Sequence, residues 1–258
     1  MNSSKYTYTS SGRSNPIPPE KITLFAGYHS EFLSLGIRER IEFHPFAPPH
    51  LCVCGSSGSG KSFLEAQLLA RLADHKEYEL IFSDFKGIDF PYLLGCPGYY
   101  PHMEVGTALD YVTAEMDRRM SNPLPYYHPI FCVFDEWSGY LNLLDRKGQD
   151  EAKKKLSALL MLSRTASICI ILVMQRMDAS NFGSSRDNIG HIICLGSLSE
   201  EAKRMISPDH KDMLLPQGRG KGYLVSDGRP PSPLTVPNIR DPERIQNTLK
   251  RALSRRER

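Results

Sequence analysis

Six cysteines in 258 residues, none in a C-x-x-C pair, exclude a disulfide framework and a zinc ribbon. Cys52, Cys54, Cys132, Cys169 and Cys194 lie inside apolar runs and only Cys96 falls in a loop-like stretch, the pattern of buried, reduced thiols in a cytosolic protein. Long hydrophobic runs are also missing. The longest, Ile168–Met174, is far short of the ~20 apolar residues a membrane-spanning helix needs. No secretory leader is visible at the N-terminus. A cytoplasmic chain is expected, with peripheral recruitment to a membrane left open. Nor is there a large charge excess: the formal net charge of +3 excludes a polycation. It is unevenly spread, because residues 239–258 hold seven Lys/Arg against three Asp/Glu. That basic tail reads equally as a nucleic-acid or anionic-lipid contact and as a solvated helix.

What is present is a chain with 40% hydrophobic residues, enough for one α/β core. Residues 1–47 read as an N-terminal arm and joint, Ser-, Thr- and Pro-rich at first and partly disordered, 48–238 as the domain, and 239–258 as the tail. Strand-like runs at Leu51–Cys54, Glu79–Ser83, Ile130–Phe134, Ser167–Met174, His191–Leu195 and Gly222–Val225 alternate with helical periodicities. Leu109, Val112, Met116 and Met120 mark one helix, with Glu115 and Arg119 paired on its polar face. Leu156, Leu159 and Leu160 mark another, beginning near Gln149, and 139–149 reads as a loop. The alternation predicts a mainly parallel, doubly wound sheet with helices on both faces.

The chemistry starts at residues 51–62, LCVCGSSGSGKS. A strand breaks at Gly55 into Ser56, Ser57, Gly58, Ser59 and Gly60, and a helix opens at Lys61 and Ser62. This is G-x-x-x-x-G-K-[ST] between a strand and a helix, the context that makes a phosphate loop credible. Its glycines let successive N–H groups turn toward phosphate oxygens, the helix N-terminus adds its dipole, Lys61 brings charge to the β- and γ-phosphates, and the Ser62 hydroxyl suits Mg²⁺. By residue frequencies the pattern arises by chance in roughly one chain in a hundred of this length.

Asp135 and Glu136 follow the apolar run IFCVF. Beside a phosphate loop, Asp135 is placed to hold Mg²⁺ through water and Glu136 to activate the attacking water. Gln175 ends the next buried strand, where ligands of open α/β sheets sit. Arg164, between helix and strand, is the candidate arginine finger toward a neighbouring subunit. An Arg-rich lid and an L-S-G-G-Q-like segment are both absent, which sets aside small-molecule kinases and the ABC class.

Taken in order, these stretches resemble the motor domain of FtsK/SpoIIIE DNA translocases, within the HerA–FtsK group of ring ATPases. The likeness covers about residues 50–228: GSSGSGKS, then FSDFKGIDFPYL with its Asp-x-Lys, EMDRRM, VFDEW, SRTASICIILVMQR, and RDNIGHIICLGSLSEEAKRMI followed by GKGYLVSDG. The wording is most similar to FtsK-type proteins of Gram-positive conjugative and integrative elements. The resemblance implies a RecA-like P-loop fold, ATP and Mg²⁺ as cofactors, double-stranded DNA as partner and a homo-oligomeric, hexameric ring. It places Arg164 on the family's trans-acting arginine and Gln175 on its strand-end glutamine. The Asn181–Asp187 loop, with Arg186, is the candidate DNA contact. Membrane spans and a winged-helix module are absent, and Met177 stands where the family has proline. The alternative is an ATP-binding coupling protein that docks on a relaxase, replication protein or membrane channel.

Overall fold

The computed structural model describes residues 18–182, 185–226 and 228–255. Among these, ten strands form one sheet. They are β1 (Leu24–His29), β2 (Arg40–Phe43), β3 (Leu51–Gly55), β4 (Glu79–Asp84), β5 (Tyr99–Pro101), β6 (Ile130–Asp135), β7 (Ile168–Met174), β8 (His191–Leu195), β9 (Lys221–Ser226) and β10 (Ser232–Thr235). Seven α-helices accompany them: α1 (Ser30–Ser34), α2 (Lys61–Ala73), α3 (Val105–Ser121), α4 (Trp137–Leu143), α5 (Arg146–Leu162), α6 (Glu200–Ile206) and α7 (Pro242–Leu253).

The strand order is β2-β1-β10-β9-β8-β3-β7-β6-β4-β5. From β8 to β5 all neighbours run parallel, as the alternation of strands and helices predicts. From β8 to β2 the pairing is antiparallel, so residues 24–43 and 221–235 build a wing on the parallel core. The wing escapes a reading by alternation because antiparallel neighbours need no crossover helix.

Successive strand residues point to opposite faces, and the sheet has a core on each. Leu51 and Val53 of β3, Phe131 and Val133 of β6, and Ile171 and Val173 of β7 join Leu64, Leu68 and Leu72 of α2. Cys52, Cys54, Cys132, Phe134, Ile170 and Leu172 face the other way, toward Val112 and Met116 of α3 and Leu156 and Leu159 of α5. Two buried faces explain why these strands read as unbroken apolar runs. The six cysteines are buried and none is in a disulfide.

Two local expectations are corrected. The stretch read as a loop, 139–149, holds most of α4 and the start of α5. The first is a short helix because Trp137, Tyr140 and Leu141 share one buried face. The second begins at Arg146, three residues before Gln149, because the Asp145 side chain accepts from Gly148 N and caps it. Arg119 does not lie on a polar face. It is buried, with Nε on Glu115 Oε1 at 2.7 Å and Nη1 donating to the carbonyls of His128 and Ala166, and it braces α3 against the segments that lead into β6 and β7.

The basic segment folds as well. Asp241 caps α7 by accepting from Arg244 N at 2.9 Å. Thr248, Leu249, Ala252 and Leu253 are buried, and Leu253 O accepts from Gly98 N at 2.8 Å. No described helix is long and apolar enough to cross a membrane.

Candidate nucleotide-binding site

β3 lies between β7 and β8, neither of them its neighbour in sequence. At such a reversal of strand order the loops leave in opposite directions and open a crevice at the strands' carboxyl ends. The phosphate loop, 55–60, leaves β3 there. Register puts Asp135, the last residue of β6, level with Val173 on β7 and Asp84 on β4, and Cys54 level with Met174. Lys61, Ser62, Asp84, Asp135, Glu136 and Gln175 are thereby gathered at one end of the sheet.

The loop's backbone fits an anion. Gly60, at the N-cap of α2, has φ 103° and ψ 17°, a left-handed conformation that strains any side chain. Gly55 passes so close to β8 that a Cβ would meet Leu195 O at 2.5 Å. No side chain caps α2, which leaves its first N–H groups and positive dipole end for a ligand. Ser56, Ser57 and Gly58 are exposed, whereas Ser59 is buried and its carbonyl accepts from Gly220 N at 2.8 Å. Lys61 Nζ donates to Gly55 O at 2.6 Å and Ser56 O at 3.0 Å, so its charge is folded over the loop. Burial lowers its pKa against the opposing pull of Glu136.

Glu136 occupies φ 52°, ψ 42°, a left-handed conformation that is unfavourable for a residue with a Cβ and is typical of functional sites. Its Oε2 lies 2.6 Å from Lys86 Nζ. Partial burial works against the Lys86 ammonium, but the hydrogen bond and charge of Glu136 outweigh it and raise its pKa. Burial first, then the Asp84 and Glu136 carboxylates, push Asp135 up to about 7. The donor set suits Mg²⁺: Ser62 and Asp135 offer hard oxygens beside a phosphate cradle. Two protein oxygens suffice, because Mg²⁺ keeps waters and takes its remaining ligands from phosphates. The residues therefore fit that ion.

Three acidic residues beyond those singled out from sequence join the site. Asp84 is buried and accepts from Gly87 N at 2.8 Å and the Tyr99 hydroxyl at 2.9 Å. Asp89 Oδ2 accepts from Ser62 Oγ at 2.5 Å. Glu65 lies one turn beyond Lys61, fully buried, with neither carboxylate oxygen hydrogen-bonded. Burial, then Asp135, Asp84 and Asp89, raise its pKa well above the usual range and favour the neutral acid. A glutamate amid Leu64, Leu68, Leu69 and Leu72 is a break in an apolar stripe, and that was the legible signal for it.

Gln175 is exposed immediately beyond β7. Arg164 is exposed at the other end of the same strand. Seven residues at ~3.3 Å each put it roughly 20 Å from the crevice, out of reach of its own site. Of the candidate DNA-contact loop, Gly183 and Ser184 lie outside the described residues. Arg186 pairs with Asp187 at 3.3 Å.

A phosphate loop after β3, an acidic pair at the end of β6 and a RecA-like order of parallel strands define a P-loop NTPase fold. No family model matches the chain. In sequence it is similar to the FtsK domain-containing protein YdcQ of Bacillus subtilis (strain 168), at 26% identity over 68% of this chain and 40% of that protein. The chain thus spans well under half the length of that relative. In fold it is similar to the pCW3 conjugation coupling protein TcpA, solved with ATPgS (TM-score 0.69, 20% identity, 88% of this chain and 70% of that one). It is also similar to the cytoplasmic domain of the type VII secretion ATPase EccC of Thermomonospora curvata (TM-score 0.65, 22% identity, 92% of this chain and 32% of that one). EssC of Geobacillus thermodenitrificans gives a TM-score of 0.64 at 13% identity over 94% of this chain and 52% of that one.

Proposed function

We propose that the chain hydrolyses ATP with Mg²⁺ and uses the free energy to move double-stranded DNA, as part of the transfer or maintenance of a plasmid or conjugative element. The observation that carries this reading is the meeting of Lys61, Ser62, Asp135 and Glu136 at one sheet end, from segments far apart in sequence. In this reading residues 55–62 hold the phosphates, and Ser62 and Asp135 hold the metal, which supplies charge neutralisation and phosphate orientation. Glu136 accepts the proton of the attacking water, and Gln175 positions that water at the mouth of the crevice. A carboxylate directly after Asp135 serves water activation rather than transfer to a metabolite. Arg164, remote from its own crevice, completes a neighbour's site in a ring. The likeness to YdcQ and to a conjugation coupling protein supports a DNA cargo.

The test is ATP turnover by the purified chain with and without long double-stranded DNA. Glu136→Gln is expected to bind ATP while lowering kcat by about 10²–10⁴-fold, the range for losing a general base. Wild-type turnover is expected to rise on DNA and to lose that stimulation as salt rises, because contacts in such a channel are to phosphates. Tight ATP binding without any DNA response would replace the motor by a coupling protein that docks on a relaxase, replication protein or channel, a reading the likeness to secretion and coupling ATPases supports.

A further inference from the structure

Two residues with assigned roles at the site are tied to a single loop. Beyond β4 the chain runs Phe85-Lys86-Gly87-Ile88-Asp89-Phe90. Lys86 Nζ meets Glu136 Oε2 at 2.6 Å, and three residues on Asp89 Oδ2 accepts from Ser62 Oγ at 2.5 Å. The loop therefore links the end of β6 to the first turn of α2. Its own ends are fixed by other contacts. Asp84 Oδ1 accepts from Gly87 N, and the buried Phe90 ring packs edge-on to Phe82 at 4.8 Å. Gly87 has φ +64°, and a Cβ there would meet the His102 ring at 2.5 Å, so the turn between Lys86 and Asp89 requires glycine. At its tip Ile88 is 73% exposed.

We infer that Lys86 is a positioning residue that holds Glu136 in a resting arrangement, and that the Ser62–Asp89 bond makes this hold responsive to what the phosphate loop contains. The inference rests on the hydrolytic reading above. A carboxylate oxygen held at 2.6 Å by an ammonium has a lone pair engaged and its approach blocked, so Glu136 meets water poorly until Lys86 lets go. The stored conformation of Glu136, left-handed at its backbone, is one that the surrounding contacts must impose. The same loop orients the Ser62 hydroxyl, so a change at the phosphate loop shifts Asp89 and, through one short turn, Lys86. The hold is weak enough to break. A partly exposed pair of this kind is worth no more than about fivefold in an equilibrium, so ligand binding overcomes it.

The experiment compares Lys86→Met and Lys86→Arg with the wild type by two readouts. Turnover without DNA is expected to rise about two- to fivefold in kcat for Lys86→Met, and Lys86→Arg, which restores a cation, is expected to match the wild type. The second readout is the emission of Trp137, the chain's one tryptophan, buried directly after Glu136. In the nucleotide-free protein Lys86→Met and Glu136→Gln are expected to shift it alike, and the double variant no further. An unchanged or lower kcat in Lys86→Met, an unmoved emission, or additive shifts in the double variant would overturn the inference. If the wild type hydrolyses no ATP, the hydrolytic reading fails while the emission cycle still decides whether Lys86 holds Glu136.

Discussion

His50 shows how one residue before the phosphate loop is fixed by its surroundings. It stands just ahead of β3, its Nδ1 accepts from Ile170 N–H at 3.1 Å, and its Nε2 lies 3.1 Å from Leu160 O. That pairing needs the neutral ring. Burial lowers its pKa to about 4 against an ordinary 6.5, with the Leu160 carbonyl opposing. The unfolded chain therefore takes up a proton below 6.5 that the folded chain refuses until about 4. Stability from this group is complete above 6.5 and is lost as pH falls through that window, by roughly 3 kcal/mol in all. Asp135 works in the opposite direction, since its raised pKa makes the folded chain hold a proton longest. The measurement is consequently a difference: urea midpoints of wild type and His50→Gln from pH 7.5 to 4.5, with the gap between them expected to narrow as pH falls. A gap independent of pH would show that the ring is not held neutral.

At the scale of elements, α7 decides what the basic end of the chain does. Its hydrophobic stripe is sharp enough for the helix to dock on α2 and β4, and Leu249 within it is fully buried. Leu249→Ala is expected to destabilise the chain by about 2–5 kcal/mol, the usual loss for a buried leucine, read by chemical denaturation. Neutralising Lys250 and Arg251, which lie in the last turn of the same helix, should leave stability within about 0.5 kcal/mol, as for most surface changes. The pairing of both outcomes assigns α7 to packing. α4 carries a similar message on a smaller scale, because a seven-residue helix survives where Gly139 lets Phe85 and the Glu136 stem approach.

For the whole molecule, the decisive geometry is the length of β7. Gln175 and Arg164 bracket it, so the glutamine stands at the crevice end of the sheet and the arginine at the opposite end. In the ring reading, Arg164→Ala is expected to lower kcat by about 10³-fold with nucleotide affinity kept, as for other trans-acting arginines. Mixing Arg164→Ala with Lys61→Ala subunits should then restore part of the turnover, because a sound crevice and a sound arginine meet at some interfaces. Turnover that stays flat on mixing would place Arg164 outside the reaction.

The phosphate loop, Asp135 and Glu136 were legible because their chemistry is local: a strand, a glycine-rich turn and a helix start within twelve residues, and a carboxylate pair directly after a buried strand. The parallel core was legible because strands covered on both faces are apolar throughout. Other features depend on contacts between residues distant in sequence. Nothing in the string pairs Lys86 with Glu136 fifty residues on, or Ser62 with Asp89. Arg119 looks like half of a surface helix pair until the carbonyls of His128 and Ala166 close around it. The antiparallel wing, the burial of Glu65 and the docking of α7 likewise follow from which surfaces meet. Strand periodicity, the backbone freedom at Gly60 and the side chains offered at the candidate site follow from chain order alone, because all are properties of neighbouring residues. Which charges are paired and which are desolvated emerges with the packed fold, because burial and Coulombic contact depend on distances that chain order does not contain.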